Sequence, residues 1–211
     1  MTTTRICFVR HGETDWNAEK RIQGQYDIEL NETGRAQALA AAFGLAHFNF
    51  AAIHASDLRR ATQTARAAAE RLGLEVVVAP GLRERHYGIF QGLTVAEGAE
   101  IYPQAHAHYV ARDPDYNFGT GESLHGFAAR VAMGVDDIVR YHAGQSVLAV
   151  THGGVLDIIY RRATGRSLEA PRDFTIPNAA LNWFDVDARG WHLVKWADRH
   201  HLERVLEQPP E

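Results

Sequence analysis

The sequence predicts an α/β fold: a three-layer α/β/α sandwich whose central sheet is mostly parallel, with an antiparallel strand at one edge. Short apolar strands alternate along the chain with longer amphipathic helices, a pattern typical of a parallel sheet covered by helices on both faces. Near the end of the chain, two alternating segments flank Asp187–Gly190 as in a β-hairpin. This hairpin is expected to supply the antiparallel edge.

Each element is predicted from the apolar pattern and the residues that cap it. The predicted strands are Arg5–Val9, Ala51–Ala55, Glu75–Ala79, Ser146–Val150, Asn178–Val186 and Trp191–Trp196. Helices are predicted from Asn31 to about His47, from Asp57 to Leu72 after a Ser56 cap, over Ser123–His142, and from Gly154 to about Thr164. In the first helix, the spacing points four residues toward the core: Ala36, Leu39, Ala40 and Phe43.

The segment from Leu82 to Glu122 is irregular and rich in glycine and proline. Two short helices are expected there, around Thr94–Tyr102 and Gln104–Arg112. A segment of this length often forms a lid, so residues 93–122 are a candidate lid over a binding site, although ordinary helical packing would account for them equally well. The final residues, Gln208–Glu211, are expected to fray.

Bulk composition limits the function classes. The 211 residues predict one domain, spanning residues 1–211. A formal net charge of −4 argues against nucleic acid and anionic membranes as partners. The single cysteine, Cys7, excludes a disulfide within the chain, and no apolar run is long enough to span a membrane, so a cytoplasmic location is expected. An edge strand could pair across a homodimer, although nothing in the sequence requires it.

Charged and imidazole side chains follow the predicted parallel strands at the point where each strand ends. Arg10 and His11 follow the first strand, Arg59 and Arg60 follow the second, and His152 follows the fourth. The third strand leads into Arg83-Glu84-Arg85-His86. Because ligands of parallel sheets bind outside the carboxyl ends of the strands, these groups are expected to share one crevice that holds an anion.

These groups supply the parts that phosphoryl transfer needs. A neutral histidine can attack phosphorus and divide a very slow hydrolysis into two steps. Arginines and a second histidine can balance the charge on the phosphoryl oxygens, and a carboxylic acid can protonate the leaving alcohol. None of these parts requires a metal or another cofactor.

The motifs resemble, in order, those of the histidine phosphatase superfamily, also called the phosphoglycerate mutase-like family. The first is Arg10-His11-Gly12-Glu13-Thr14 with Asn17. The others are Gln23-Gly24, Ser56-Asp57-Leu58 with Arg60-Ala61 and Gln63-Thr64-Ala65, Glu84-Arg85-His86-Tyr87-Gly88 with Gln91-Gly92, Gly121-Glu122-Ser123, and Thr151-His152-Gly153. They span residues 5 to about 180, and their shared order is far more specific than Arg-His-Gly alone.

The resemblance implies a role for each matching residue. His11 would be the phosphorylated nucleophile, and Glu84 would act first as general acid and then as general base. The phosphate pocket would be formed by Arg10, Asn17, Arg60 and His152. Gln23, Gly24 and Gly153 would complete the binding site for a small phosphorylated substrate, with no metal ligand and no cofactor.

Structural explanations compete with several of these roles. Glu84 could instead pair with Arg83 or Arg85, Arg60 could form a surface ion pair, and Asn17 and Gln23 could cap loops. Ser123 is at least as well explained as a helix cap as by substrate contact. Among the remaining histidines, His86, His106 and His108 are expected to be structural, and Arg59 to face solvent or a carboxylate.

The resemblance leaves two activities open. Mutases of the family carry an insertion after the segment that matches Glu84–Gly88 and a longer C-terminal tail, and this chain has room for neither. The compact form therefore predicts a phosphomonoester hydrolase, with a cofactor-dependent phosphoglycerate mutase as the alternative. A non-catalytic phospho-ligand binding protein is disfavoured because every catalytic position is filled. The leaving-group side is expected to be walled by Tyr102, His106, Tyr109, Tyr116 and Phe118.

Overall fold

A computed structural model describes residues 2–207; the predicted frayed tail, Gln208–Glu211, lies outside them. The strands are β1 (Thr4–Arg10), β2 (Ala52–Ala55), β3 (Val76–Val78), β4 (Ser146–Thr151), β5 (Leu181–Asp187) and β6 (Gly190–Asp198). The helices are α1 (Asp15–Ala18), α2 (Glu32–Leu45), α3 (Arg59–Leu72), α4 (Val95–Ile101), α5 (Pro103–Val110), α6 (Leu124–Tyr141), α7 (Gly153–Thr164) and α8 (His200–Glu207).

The six strands form one sheet in the order β3-β2-β4-β1-β5-β6. The first four are parallel, while β5 runs antiparallel to β1 and β6 antiparallel to β5. This arrangement confirms the predicted α/β class, although the hairpin contributes two antiparallel strands at the edge where the sequence predicted one.

Two hydrophobic clusters cover the two faces of the sheet. Along β1, Ile6 and Phe8 enter one cluster, which α6 and α7 cover, and Cys7 and Val9 enter the other, which α2 and α3 cover. This alternation follows from the two-residue period of a strand and makes three layers. Burial raises the pKa of the Cys7 thiol well above its usual range, so this cysteine is an inert part of the core.

Two details of the predicted helices are wrong. In α2, Ala40 is buried as predicted, but Ala36 is exposed and Leu39 and Phe43 are 50% and 59% exposed. The rest of the buried face is formed by Gly34, Ala38, Ala41, Ala42 and Leu45. Small side chains face α3 there, and Arg71 covers the Phe43 ring at 5.1 Å. In addition, α3 begins at Arg59 without a side-chain cap, so Ser56 does not cap it.

The other two predicted starts are confirmed, since Asn31 and Ser123 accept N–H bonds at the starts of α2 and α6. Gly73 ends α3 in the left-handed region. None of the helices that the structure describes is long and apolar enough to cross a membrane.

Residues 93–122 hold α4 and α5 and pack on a small core of their own, formed by Phe90, Ala105 and Phe118. Tyr87, Tyr109 and Tyr116 lie against that core. This segment stands beside the carboxyl ends of the parallel strands, where it contributes Tyr109 to the cavities described below.

Candidate active site

The register of β1 and β4 brings the two strand-end histidines together. Arg10 pairs with Thr151 in the parallel ladder, and the His11 N–H donates to the Thr151 carbonyl at 2.9 Å. The residues that follow, His11 and His152, therefore leave the sheet side by side. Their ring centroids are 5.2 Å apart, and both side chains are buried, at 3% and 0% exposure.

The His11 ring is held with one nitrogen available. Its Nδ1 lies 2.7 Å from the carbonyl oxygen of Gly12, a contact that places the proton on Nδ1 and leaves the Nε2 lone pair unprotonated. Burial, with the charges of Arg60 and Arg10, lowers the pKa of His11 well below its usual range. The neutral, nucleophilic form is therefore the stable one at neutral pH.

Both nitrogens of His152 already have partners. Arg60 Nε donates to Nδ1 at 3.2 Å, so the proton lies on Nε2, which is 2.8 Å from Ser56 Oγ. Burial and the neighbouring Arg60 lower the pKa of His152 well below its usual range. His152 thus holds the Arg60 guanidinium in position by a hydrogen bond. Ser56 is hydrogen-bonded to His152 and does not cap α3.

Arg60 stands in the first turn of α3 and is completely buried. Beyond the bond to His152, it donates to the carbonyls of Gly24 and Tyr26, each at 2.7 Å. The surface ion-pair explanation is therefore wrong for Arg60. It is right for the neighbouring Arg59, which is exposed and pairs with Glu29 at 2.5 Å.

Arg10 has unused hydrogen-bonding capacity. Its Nη1 donates to the Ile176 carbonyl at 2.5 Å, but its Nε is buried without a hydrogen-bond partner. Burial lowers the pKa of Arg10, and of Arg60, to about 10. Both groups stay charged at neutral pH, and a buried donor left unpaired is costly unless a ligand completes it. An anion is the ligand that this charge and this donor fit.

Glu84 is oriented by backbone groups. Its Oε1 accepts the Arg85 N–H at 2.8 Å, and its Oε2 accepts the Gly154 N–H at the start of α7 at 2.9 Å. Neither competing ion pair forms, because Arg83 pairs with Asp57 and Arg85 donates to backbone carbonyls. Gly154 permits this geometry, since a Cβ there would lie 2.1 Å from Glu84 Oε1.

The loops after β1 provide the remaining polar wall. Asn17 accepts from Thr14 in a capping box and so has the predicted loop role, while its side chain also borders a cavity. Gln23 is 7% exposed, and its Oε1 is buried without a partner. Gly24 has a φ of +51°, and a Cβ there would lie 2.1 Å from Gln91 Oε1.

Two cavities meet at these residues. The smaller cavity, of about 150 Å³, is bordered by all the predicted site residues except His152 and Gly153; these are Arg10, His11, Asn17, Gln23, Gly24, Arg60 and Glu84. The larger cavity, of about 410 Å³, adjoins it and contains Gly153. Four residues line both: Arg10, Glu84, Tyr87 and Tyr109. A tetrahedral anion suits the smaller cavity, and the group attached to it would extend into the larger one.

The larger cavity departs from the predicted leaving-group wall. Tyr109 and Phe118 line it, but Tyr102, His106 and Tyr116 do not. His108 does line it, stacked on Tyr116 at 4.1 Å, so the structural interpretation of this histidine missed its position. Glu122 is engaged by Arg130 at 2.7 Å and by the His86 N–H, and Ser123 caps α6.

Sequence reasoning missed several supporting residues. Thr64 accepts the Gly12 N–H at 3.0 Å, and Asn178 donates to the His11 carbonyl at 2.9 Å. Thr64 belongs to the motif Gln63-Thr64-Ala65, so its role could have been inferred from the family resemblance. Asn178 lies 167 residues from His11, and no local sequence pattern predicts this contact. Across the described residues, no group of three or more His, Cys, Asp or Glu side chains is arranged to hold a metal ion.

The model of the histidine phosphatase superfamily (branch 1) matches residues 6–199 of this chain. The chain belongs to the histidine phosphatase superfamily. Three comparisons define its position within that family more closely.

A metal-independent phosphoserine phosphatase of Arabidopsis thaliana is 40% identical over 96% of this histidine phosphatase and 84% of its own length. A phosphoglycerate mutase-like protein 4 of the same plant is 39% identical over 95% and 87%. The solved mycobacterial glucosyl-3-phosphoglycerate phosphatase superposes with a TM-score of 0.83 at 34% identity, covering 93% of this chain and all of that one. The protein is therefore a phosphomonoesterase of the phosphoglycerate mutase-like family.

Proposed function

We propose that this phosphatase hydrolyses small phosphorylated metabolites through a phosphohistidine on His11. The observation that carries the proposal is the free Nε2 of a neutral His11 beside two arginines: Arg60, which is fully buried, and Arg10, whose buried Nε has no hydrogen-bond partner. The phosphoryl group occupies the smaller cavity, and the alcohol occupies the larger one. Arg10 and Arg60 balance the charge on the phosphoryl oxygens, and His152 holds Arg60 in position.

The reaction takes place in two steps. His11 Nε2 attacks phosphorus as the bond to the alcohol oxygen breaks, and Glu84 gives its proton to that oxygen. Water then attacks the phosphohistidine, Glu84 takes the proton from the water, and phosphate leaves with His11 restored. The position of Glu84 between the two cavities supports both proton transfers, because the bond that breaks crosses that boundary.

The side chains that enclose the smaller cavity complete the proposed binding site. Asn17 and Gln23 would contact the phosphoryl oxygens, and Gly24 and Gly153 leave space for the group. No step needs a metal, in keeping with the description of the Arabidopsis relative as metal-independent. The proposed substrates are small molecules because they must enter these cavities. We place the reaction in the cytoplasm because a chain with one cysteine forms no internal disulfide.

Turnover of p-nitrophenyl phosphate in the presence of a chelator tests the proposal. We expect wild-type hydrolysis and a loss of about 10⁴-fold or more for His11→Ala, since the nucleophile itself is removed. Acid quenching during turnover should trap a phosphorylated wild-type enzyme and none in the variant. Undiminished activity in His11→Ala would overturn the nucleophile assignment.

A phosphoglycerate mutase is the competing activity, favoured by the name of the second Arabidopsis relative. It predicts rapid exchange of 2- and 3-phosphoglycerate, stimulated by the bisphosphate. Release of phosphate without such exchange excludes it.

The homodimer and the lid role of residues 93–122 stay predictions. Light scattering tests the homodimer against the chain mass of 23.5 kDa.

A further inference from the structure

The peptide group that joins His11 to Gly12 is held from two sides. Its N–H, on Gly12, donates to the hydroxyl oxygen of Thr64 on α3 at 3.0 Å. Its carbonyl, on His11, accepts from Asn178 Nδ2 at 2.9 Å. Because Gly12 also supplies the carbonyl that binds His11 Nδ1, the plane of this peptide decides how the imidazole is held. Asn178 therefore acts on the nucleophile although it does not border the smaller cavity.

Asn178 has a second contact in the same site. Its Nδ2 also donates to Asn17 Oδ1 at 3.3 Å. An amide nitrogen carries two hydrogens, so Nδ2 can serve the His11 carbonyl and Asn17 at once. Asn17 Oδ1 accepts in addition from the backbone N–H and from the hydroxyl group of Thr14, each at 3.1 Å. Three donors thus converge on one oxygen.

This convergence fixes which end of the Asn17 amide is left for the phosphoryl group. Asn17 borders the smaller cavity, and its Oδ1 is taken up by Thr14 and Asn178. Nδ2, a donor, is the end that remains. An ionised phosphoryl oxygen accepts hydrogen bonds and cannot donate them, so an amide turned the other way would repel it. The direction of the Asn17 amide therefore matters to the charge that the site stabilises.

The backbone beside Asn178 is held in turn by β1 and by α8. Ala179 is completely buried and has a φ of +54°, in the left-handed region that alanine adopts only where the surrounding structure imposes it. Its N–H donates to the Arg10 carbonyl at 2.9 Å, and its carbonyl accepts from His201 Nε2 at 2.9 Å. The Asn178 side chain therefore projects from a fixed point.

We infer that Asn178 is a positioning residue for the phosphoryl site: one N–H of its amide orients the His11–Gly12 peptide, and the other holds Asn17 with Nδ2 available to the phosphoryl oxygens. The inference rests on the proposed function, because it takes His11 as the nucleophile and Asn17 as a donor to the phosphoryl group. Asn178 itself touches no reacting atom. A purely structural asparagine would stabilise the fold and leave the chemistry unchanged.

The chain offers a matched control in Asn182. Its Nδ2 donates to the carbonyls of Phe8 and Ala180, each at 3.1 Å, and its Oδ1 accepts the Ala197 N–H at 2.9 Å. Asn182 thus also binds a β1 carbonyl through its amide, three positions before His11. Neither Asn182 nor these partners line either cavity.

The first measurement is the turnover of p-nitrophenyl phosphate per mole of folded enzyme. Asn178→Ala should lose about 10²-fold, mainly in kcat, because a misplaced nucleophile and a misdirected donor both raise the barrier. Asn182→Ala should unfold at a lower urea concentration, since buried backbone groups lose their partner, and should keep the wild-type kcat.

A double-mutant cycle separates the two contacts of Asn178. Asn17→Ala removes the donor that Asn178 orients. In that background, Asn178→Ala should cost only about tenfold instead of about 10²-fold, since the bond to the His11 carbonyl alone remains to be lost. The double variant should therefore be more active than the product of the two single losses predicts.

Asn178→Asp keeps the shape of the side chain and replaces its donor by an acceptor. At about pH 8 the carboxylate would face the His11 carbonyl and Asn17 Oδ1, so the loss should be at least that of Asn178→Ala. These oxygens raise the pKa of a carboxyl group placed there, and the protonated form can donate one hydrogen bond. Activity relative to wild type at the same pH should therefore rise about tenfold towards pH 5, and stay constant in Asn178→Ala.

Three results would overturn the inference. One is a kcat for Asn178→Ala equal to that of Asn182→Ala, which would leave Asn178 a structural role only. Another is an undiminished loss from Asn178→Ala in the Asn17→Ala background. The third is an Asn178→Asp variant with no recovery in acid. Failure of the proposed function looks different, because wild-type hydrolysis of p-nitrophenyl phosphate would then not depend on His11.

Discussion

The two cavities of this phosphatase are built in different ways. The smaller one stands on strand ends and helix starts, and its functional groups are fixed by backbone partners: Gly12 for His11, Gly24 and Tyr26 for Arg60. The larger one is enclosed by side chains from loops and from α5, α6 and α7, and Asp157, which lines it, has a carboxylate oxygen without a hydrogen-bond partner. The smaller cavity is proposed to hold the phosphoryl group, which is the same in every substrate, and the larger one to hold the alcohol, which differs between substrates.

The largest effect that tests this contrast is expected from Gly154→Ala. A Cβ at this position would lie 2.1 Å from Glu84 Oε1, so the carboxylate must move from the boundary of the two cavities. Because general acid–base catalysis contributes about 10²–10⁴-fold, kcat should fall by roughly 10² or more for every phosphomonoester. Steady-state kinetics with p-nitrophenyl phosphate and phosphoserine measure it.

Gly153→Ala is the neighbouring comparison. Its Cβ would lie 3.6 Å from Arg10 Nε, an ordinary contact that displaces no catalytic group. It should therefore narrow the space for the phosphoryl group and raise KM, with a far smaller loss in kcat. Equal losses in the two variants would show that the start of α7 matters for a reason other than the position of Glu84. A loss confined to phosphoserine would place Glu84 on the leaving-group side alone.

A smaller effect is expected in the pH profile. An ordinary histidine, with a pKa near 6.5, would be about tenfold depleted in its neutral form at pH 5.5. The lowered pKa of His11 moves the acid limb of kcat/KM below that range. The profile for p-nitrophenyl phosphate, corrected for the ionisation of its own phosphoryl group, should therefore show no loss from His11 near 6.5. If kcat/KM instead fell below pH 6.5 with every substrate, His11 would not have the lowered pKa that its burial in the smaller cavity predicts.

The smallest effect is expected on stability. A loss of stability in acid sets the lowest pH at which the profile of kcat/KM can be measured. His54 and His142 form a second buried pair outside both cavities, with Nε2 atoms 2.9 Å apart. Burial lowers the pKa of His54 to about 4, so between about 6.5 and 4 the unfolded chain binds more protons than the folded one. The titration of His54 should therefore lower the free energy of unfolding by about 2 kcal/mol from pH 7.5 to pH 5. His11 and His152, whose pKa values are also lowered, add further losses in the same range.

Urea unfolding at the two pH values measures this loss. His54→Leu should reduce the difference between pH 7.5 and pH 5, because the group that titrates is gone. His200→Gln, at an exposed histidine, should keep the wild-type difference. An unchanged difference in His54→Leu would assign the acid sensitivity to other groups.

The contrast between the cavities also explains what could be predicted from the sequence. Strand ends with His-Gly pairs identify the smaller cavity, because parallel strands converge at one edge of the sheet and the family motifs are local. The face of α2 was predicted wrongly because its two largest apolar side chains, Leu39 and Phe43, were expected to face the core. Instead, the face that packs closely against α3 consists mostly of alanine.

The larger cavity could not be assembled in the same way. Three charged residues that line it, Arg112, Asp157 and Arg172, come from separate segments: Arg112 lies 45 residues before Asp157, and Arg172 lies 15 residues after it. Nothing in the local pattern distinguishes Arg172 from other surface arginines. His108 lines the cavity because of how α5 packs, which the local sequence pattern does not specify.

The pairing of Arg10 with Thr151 has a consequence for folding. His11 and His152 are 141 positions apart, and they become neighbours only when β1 and β4 pair in the correct register. Contacts of such separation form late, because the entropy of closing a long loop must be overcome first. A partly folded chain can hold its helices and its hairpin and still have no place for phosphate. Recovery of activity during refolding therefore reports the completion of the central ladder.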